Sequence, residues 1–325
     1  MMEQPELCFP ELFNISCRRQ KRPHFELLLM YIILSSISLL TASLNLLVII
    51  SISHFRQLHT PTNLLLLSLA VSDFFVGFIM FFQILLIDGC WHLGDLTCVM
   101  YNSVAYYVTA ASVGTMVLIS VDRYVAICYP LHYLTKITHK KVKICVCLCW
   151  ICSVIFQSLT QTENLKQPGR YNSCAGQCVV VINYIAGLAD LIVSFIIPIT
   201  VIVVLYLRVF VVVVSQAQAM RSHVTAVTIK CSGTPKKSEL KAARTLGIVV
   251  VVFIMCMCPF YCVALTGQDT VLNASSATIE VFLFYFNSCL NPIIYVFFYP
   301  WFRKSIKLIV TLQIVQTDSC KASIL

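Results

Sequence analysis

Asp190 is the only charged side chain in the apolar run from Cys178 to Leu207. A lone carboxylate at the centre of a hydrocarbon layer costs about 2.5–3.5 kcal/mol on insertion scales. Such a group needs a partner, either another side chain or a positively charged ligand. Asp73 is a second acid inside an apolar block, and Glu280 lies near the start of another. Asn45, Ser112, Asn287, Ser288 and Asn291 are the polar residues available to surround Asp73. Oxygen donors of that kind suit a hard cation.

These acids sit in a chain built for a membrane. Hydrophobic residues make up 59% and charged residues 11%, where a soluble domain carries about 25% charged. Apolar blocks at 27–52, 62–87, 96–121, 144–162, 179–207, 246–267 and 277–300 are each long enough to cross about 30 Å of hydrocarbon as a helix. The alternation of a β-barrel strand is missing. The expected fold is an all-α membrane protein, a seven-transmembrane helix bundle with a short amphipathic helix after the seventh span. Phe302, Ile306, Ile309 and Val310, interleaved with Arg303, Lys304 and Lys307, make that last helix. The division is an extracellular segment at 1–25, the helical domain at 26–300, and a cytoplasmic amphipathic helix and tail at 301–325.

Orientation follows from basic residues. With the N-terminus outside, most of the 23 Lys and Arg residues fall in cytoplasmic segments, as the positive-inside rule demands. The four basic residues before the first span oppose this locally. The sequons at Asn14 and Asn273 both fall outside in that topology, and Asn14 has the longer segment to present a glycan. No basic-then-apolar leader is visible at the start. The net charge of +9 is explained by orientation and anionic lipid rather than nucleic acid. Of the 17 cysteines, Cys8, Cys17, Cys90, Cys98, Cys174 and Cys178 lie on the oxidising side, where disulfides form. Spacing does not assign their pairing.

Short motifs recur one to a span. Asp122-Arg123-Tyr124 closes the third span, and Asn291-Pro292-Ile293-Ile294-Tyr295 ends the seventh; Asn45, Asp73, Trp150, Pro198, Tyr206 and Pro259 mark the others. Ordered this way, the chain resembles a rhodopsin-like G-protein-coupled receptor. Asn287 to Tyr295 followed by Tyr299-Pro300-Trp301-Phe302, together with Asn14-Ile15-Ser16-Cys17 and Cys174-Ala175-Gly176-Gln177-Cys178, resembles the trace amine-associated receptors, and an acid at Asp190 of the fifth span rather than in the third resembles the fish-type members in particular. The resemblance implies a plasma-membrane receptor, most often olfactory, that binds a small cationic amine and signals through a stimulatory heterotrimeric G protein and cAMP. It implies disulfides Cys98–Cys178 and Cys17–Cys174. It implies no required cofactor, with an allosteric sodium ion at Asp73, Ser112, Asn287 and Ser288. It assigns coupling to Asp122, Arg123, Tyr124, Tyr206, Asn291, Pro292 and Tyr295, with Glu239 holding the always-charged Arg123 at rest.

Two departures shape the functional reading. The acid that amine receptors carry seven residues after the third-span cysteine is replaced by Ala105. Asp190, two helical turns before Pro198, stands as the relocated anchor. Tyr106, Phe260, Tyr261, Phe284 and Tyr285 are the rings available for cation–π contacts, worth about 0.5–2 kcal/mol each. Met257 replaces the usual sixth-span Trp, which leaves open a weakly signalling binding protein or a receptor for a non-amine ligand. An intramembrane aspartyl protease would need a second acid sharing a proton with Asp190, and a retinal pigment would need a seventh-span Lys; neither fits.

Overall fold

The computed structural model describes residues 6–19, 23–222, 237–265 and 274–316. The side chains of Glu239, Phe260, Glu280 and Phe284, and all of Asn273, lie outside the described set. Long helices fall on every apolar block: α1 (His24–His54), α2 (Pro61–Leu85), α3 (Asp95–Cys128), α5 (His139–Thr160), α8 (Ile197–Ser222), α9 (Lys237–Leu265) and α10 (Ala274–Phe298). Short helices complete the order: α4 (Pro130–Lys136), α6 (Thr162–Lys166), α7 (Tyr184–Asp190) and α11 (Pro300–Val310). Among the described residues, five helical segments are long and apolar enough to cross a membrane, and Gly247–Pro259 is a shorter apolar stretch. A helix satisfies its own backbone groups, which hydrocarbon cannot do.

The helix starts carry local signals. Thr60 accepts from the Asn63 amide with Pro61 in the first turn, Thr138 accepts from Lys141, and Asn183 from Ala186. Each satisfies a donor that the helix leaves orphaned. The fifth apolar block is not one α-helix. Its first residues, up to Asn183, are non-helical, and Leu191–Ile196 is a π turn joining α7 to α8. Pro198 has no N–H to give the Ser194 carbonyl, so the α-ladder fails there. The Ile197 amide reaches back five residues to Ile192 instead. Counting residues back from Pro198 at α-helical pitch therefore misjudges the rotation of Asp190, which sits at the last position before the π turn.

Helix α3 lies centrally and touches α2, α5, α8 and α9. One core cluster joins Val48, Leu69, Met116, Ile119, Phe253, Met257 and Tyr295; a second, at the other end, joins Leu34, Val76, Met80, Trp91 and Tyr101. Large apolar side chains point outward, among them Leu39, Phe78, Leu148, Ile151 and Ile155. Helix α11 buries Trp301, Phe302 and Ser305 and exposes Arg303, Lys304 and Lys307.

The N-terminal segment is tied across one end of the bundle. Disulfides join Cys17 to Cys174 and Cys98 to Cys178, and a third, Cys8–Cys90, is one that spacing did not reveal. Arg19 pairs with Asp88 at 2.6 Å, and isolated bridges join Leu7 to Arg18 and Ser16 to Ala175.

Helices α1 and α2 meet most closely at Gly77. A side chain there would place its first carbon 2.8 Å from the Ala42 amide nitrogen and 3.1 Å from the Ser38 carbonyl. The Ser38 hydroxyl donates to the Gly77 carbonyl at 2.7 Å across the same contact. Gly77→Leu is expected to destabilise the protein by about 1–3 kcal/mol through overpacking, read as a lowered melting temperature of the detergent-solubilised protein; an unchanged melt would refute this packing.

Candidate functional site

Asp190 reaches the wall of a cavity of about 360 Å³ on the disulfide-tied side of the bundle. Its carboxylate has side-chain partners. The Gln157 amide donates to Oδ1 at 2.6 Å, and the Ser194 hydroxyl donates to the same oxygen at 2.7 Å. Gln157 is 2% exposed, and its own carbonyl accepts from the Thr160 hydroxyl at 3.2 Å. Ser194 sits four residues after Asp190 on a continuing helical path, so the two side chains share a face. Oδ2 accepts no hydrogen bond from the described residues. The carboxylate is thus oriented by one oxygen and open through the other.

Tyr106, Tyr261 and Tyr285 line the same cavity. The ring of Tyr261 stacks on Phe195 of the π turn, centroids 4.2 Å apart at 16°. Ala105, at the usual anchor position, is also in the wall, with Thr109 and Ala110 beside it on α3. Gln83 on α2, Tyr101 and Asn102 on α3, and Ile182 just before α7 complete the lining. The structure therefore brings together Asp190 and three of the five expected rings; Phe260 and Phe284 cannot be placed. Gln157, Ser194, Gln83 and Tyr101 were missed. Gln157 had one signal, an amide in a block otherwise free of charge.

Asp73 is fully buried. Its Oδ2 accepts from the Asn291 amide at 2.8 Å, and Ser288 sits against the same carboxylate. Asp73 Oδ1 and the side-chain oxygens of Asn45, Asn287 and Asn291 are buried without a hydrogen-bond partner among the described residues. Ser112 is buried but makes no hydrogen bond to Asp73. Unsatisfied oxygens of this kind, one of them on Asp73 itself, are the type of donor that suits a hard cation.

At the far end of α3, Asp122 and Arg123 are both 2% exposed. Adjacent residues on a helix do not naturally face each other, yet Arg123 Nε folds back to Asp122 Oδ2 at 3.0 Å. Thr62 ties the pair together, accepting from the guanidinium at 2.7 Å and donating to Asp122 Oδ2 at 2.9 Å. Tyr133 on α4 donates to Asp122 Oδ1 at 2.9 Å. Burial, and then the charge of Asp122, push the Tyr133 phenol up to about 12, so it stays a donor. Thr62 and Tyr133 gave no sequence signal, because both contacts are made across helices. Tyr206 and Tyr295 have buried hydroxyls without partners among the described residues. Tyr124 packs edge-on against Tyr129.

Asp88, Cys90 and His92 bring three ligand-type atoms within 4.8 Å of one another. Cys90 is in a disulfide and Asp88 is paired with Arg19, so no thiolate is on offer and the acid is already engaged.

Comparison with known proteins places this geometry. Residues 44–295 match the family described as "7 transmembrane receptor (rhodopsin family)". The chain is 37% identical to trace amine-associated receptor 13c of Danio rerio, covering 97% of this chain and 94% of the relative. It is 36% identical to trace amine-associated receptor 4 of Mus musculus, covering 98% and 95%. It is also 36% identical to trace amine-associated receptor 1 of Mus musculus, covering 91% and 92%. The relatives are receptors, not enzymes, and the apolar helices make the chain a multi-pass membrane protein. With motifs, helices and relatives in agreement, the chain belongs to the rhodopsin family of seven-transmembrane receptors and, within it, to the trace amine-associated receptors.

Proposed function

We propose that the chain is a plasma-membrane receptor whose seven long helices all cross the bilayer, N-terminus outside, and which binds a small cationic amine at Asp190. One observation carries the reading: Asp190 is the one acid among the described residues lining the cavity. Ala105 stands in the wall where other amine receptors have theirs. Oδ2 accepts the ammonium while Gln157 and Ser194 hold Oδ1. A cation held there offsets the cost of placing a carboxylate in an apolar setting. Tyr106, Tyr261 and Tyr285 complete the enclosure with ring faces. Phe260 belongs to the same proposal from sequence alone.

On the inner side, Arg123 is released from Asp122 and Thr62 on activation and meets a stimulatory heterotrimeric G protein, raising cAMP. Glu239 reinforces the resting state, and Tyr206, Tyr124, Asn291, Pro292 and Tyr295 move with the switch. Sodium, where bound, is held by Asp73 with Asn287, Ser288 and Ser112, and stabilises the resting arrangement. A glycan on the exposed Asn14 and a chemosensory role complete the reading. A second reading, binding with weak signalling, rests on Met257, buried in the core where a Trp is usual; robust ligand-driven nucleotide exchange in membranes would rule it out.

Asp190→Asn is expected to weaken amine responses by about a hundredfold, the size of a desolvated charge pair, in a cAMP reporter assay with surface expression controlled. Gln157→Leu is expected to weaken them less, by about tenfold, through loss of a charge-assisted hydrogen bond. Intact responses in Asp190→Asn would end the anchor reading. Ala105→Asp is expected to add a diamine response absent from the parent, because it places a second acid in the same wall; no gain would contradict the cavity geometry.

A further inference from the structure

The cavity has two polar flanks of different character. One is Asp190 with Gln157 and Ser194, on the α5 and α7 side. The other, on the α2 and α3 side, is Gln83 with Tyr101. The Tyr101 hydroxyl donates to the Gln83 side-chain carbonyl. The Tyr101 ring is gripped by Trp91, stacked at 5.8 Å and 26°, and by Phe82 at 5.5 Å. Phe82 also packs against Trp91, so the three rings fix one another. The Gln83 amide nitrogen has no hydrogen-bond partner among the described residues, and Gln83 is only partly buried in the cavity wall. Whichever way that amide is turned, the pair offers one neutral, pre-oriented hydrogen-bonding group. Tyr285 packs beside Tyr101, and with Tyr106 it lines the space between the two flanks.

We propose that Gln83 and Tyr101 recognise the uncharged end of the ligand, so that the receptor takes a monoamine carrying a neutral oxygen at its far end. A hydroxyl, ether or carbonyl suits this flank. A second ammonium would meet no described acid there, and a carboxylate no described cation. A second charge would be desolvated without a partner, whereas a neutral oxygen exchanges one hydrogen bond for another. The inference rests on the Asp190 reading for the other end of the ligand.

The test uses purified full-length receptor and ligand-induced thermal stabilisation, which needs no G protein. The probes are phenethylamine derivatives with hydroxyl, methyl or aminomethyl in the para position. The parent receptor is expected to bind the hydroxyl compound roughly tenfold tighter than the methyl compound, the size of one hydrogen bond, and the aminomethyl compound weakest. Gln83→Leu and the milder Tyr101→Phe are each expected to level hydroxyl and methyl while leaving the methyl compound's affinity in place. Equal binding of hydroxyl and methyl by the parent would overturn the proposal. So would a hydroxyl preference that survives both substitutions, or tightest binding of the aminomethyl compound. Asp190→Asn separates the two claims. Loss of all three compounds supports the anchor whatever their order, whereas retained binding overturns the anchor and leaves the hydroxyl-to-methyl ratio to judge Gln83.

Discussion

The constraint that organises this receptor is the expense of holding a carboxylate away from water. Among the described residues, Asp122, Asp73 and Asp190 face it inside the bundle, and each is stabilised differently. Asp122 has a guanidinium, a hydroxyl and a phenol, and is closed. Asp73 has an amide from Asn291 on one oxygen, and its Oδ1 has no hydrogen-bond partner among the described residues. Among the described residues, Asp190 has an amide and a hydroxyl on one oxygen only. Partial satisfaction is what a binding residue needs. A carboxylate fully paired within the protein gains little from a ligand, and one with no partner would not stay charged and oriented.

The helices exist in large part to place these three acids at different depths. Helix α3, touching four neighbours, carries Ala105 and Tyr106 in the cavity wall and Asp122 and Arg123 at its other end. Between them, a buried apolar core around Met116, Phe253 and Met257 lies on the proposed path from ligand to G protein. Met257 is the soft element in that path, since an unbranched thioether repacks more readily than an indole. Above the cavity, the Cys8–Cys90 and Cys17–Cys174 disulfides and the Arg19–Asp88 pair hold the N-terminal segment to the loops, and Cys98–Cys178 ties α3 to the loop before α7. Entry to the cavity is therefore framed by covalent links rather than by a free tail.

Much of this was legible in the chain. Uncharged blocks of span length announced helices because hydrocarbon tolerates little else. Asp190 stood out because a charge in such a block is rare, and counting from Cys98 showed the usual position empty at Ala105. The π turn was less visible: Pro198 removes a hydrogen bond, but whether a helix answers with a kink or with a wider turn depends on its neighbours. Gln157, Thr62 and Tyr133 were unreadable as partners because each meets its acid across a helix interface, where no periodicity applies. The Cys8–Cys90 link was hidden for a related reason, since six outer cysteines allow 15 pairings and spacing favours none.

The most direct measurement is a cryo-electron microscopy structure of the receptor with a bound primary amine. The account predicts the ammonium within about 3 Å of Asp190 Oδ2, with Gln157 and Ser194 still on Oδ1 and the far end of the ligand beside Gln83 and Tyr101. An ammonium placed away from Asp190, with the Gln157–Asp190 hydrogen bond intact, would make that acid a structural element alone and contradict the account.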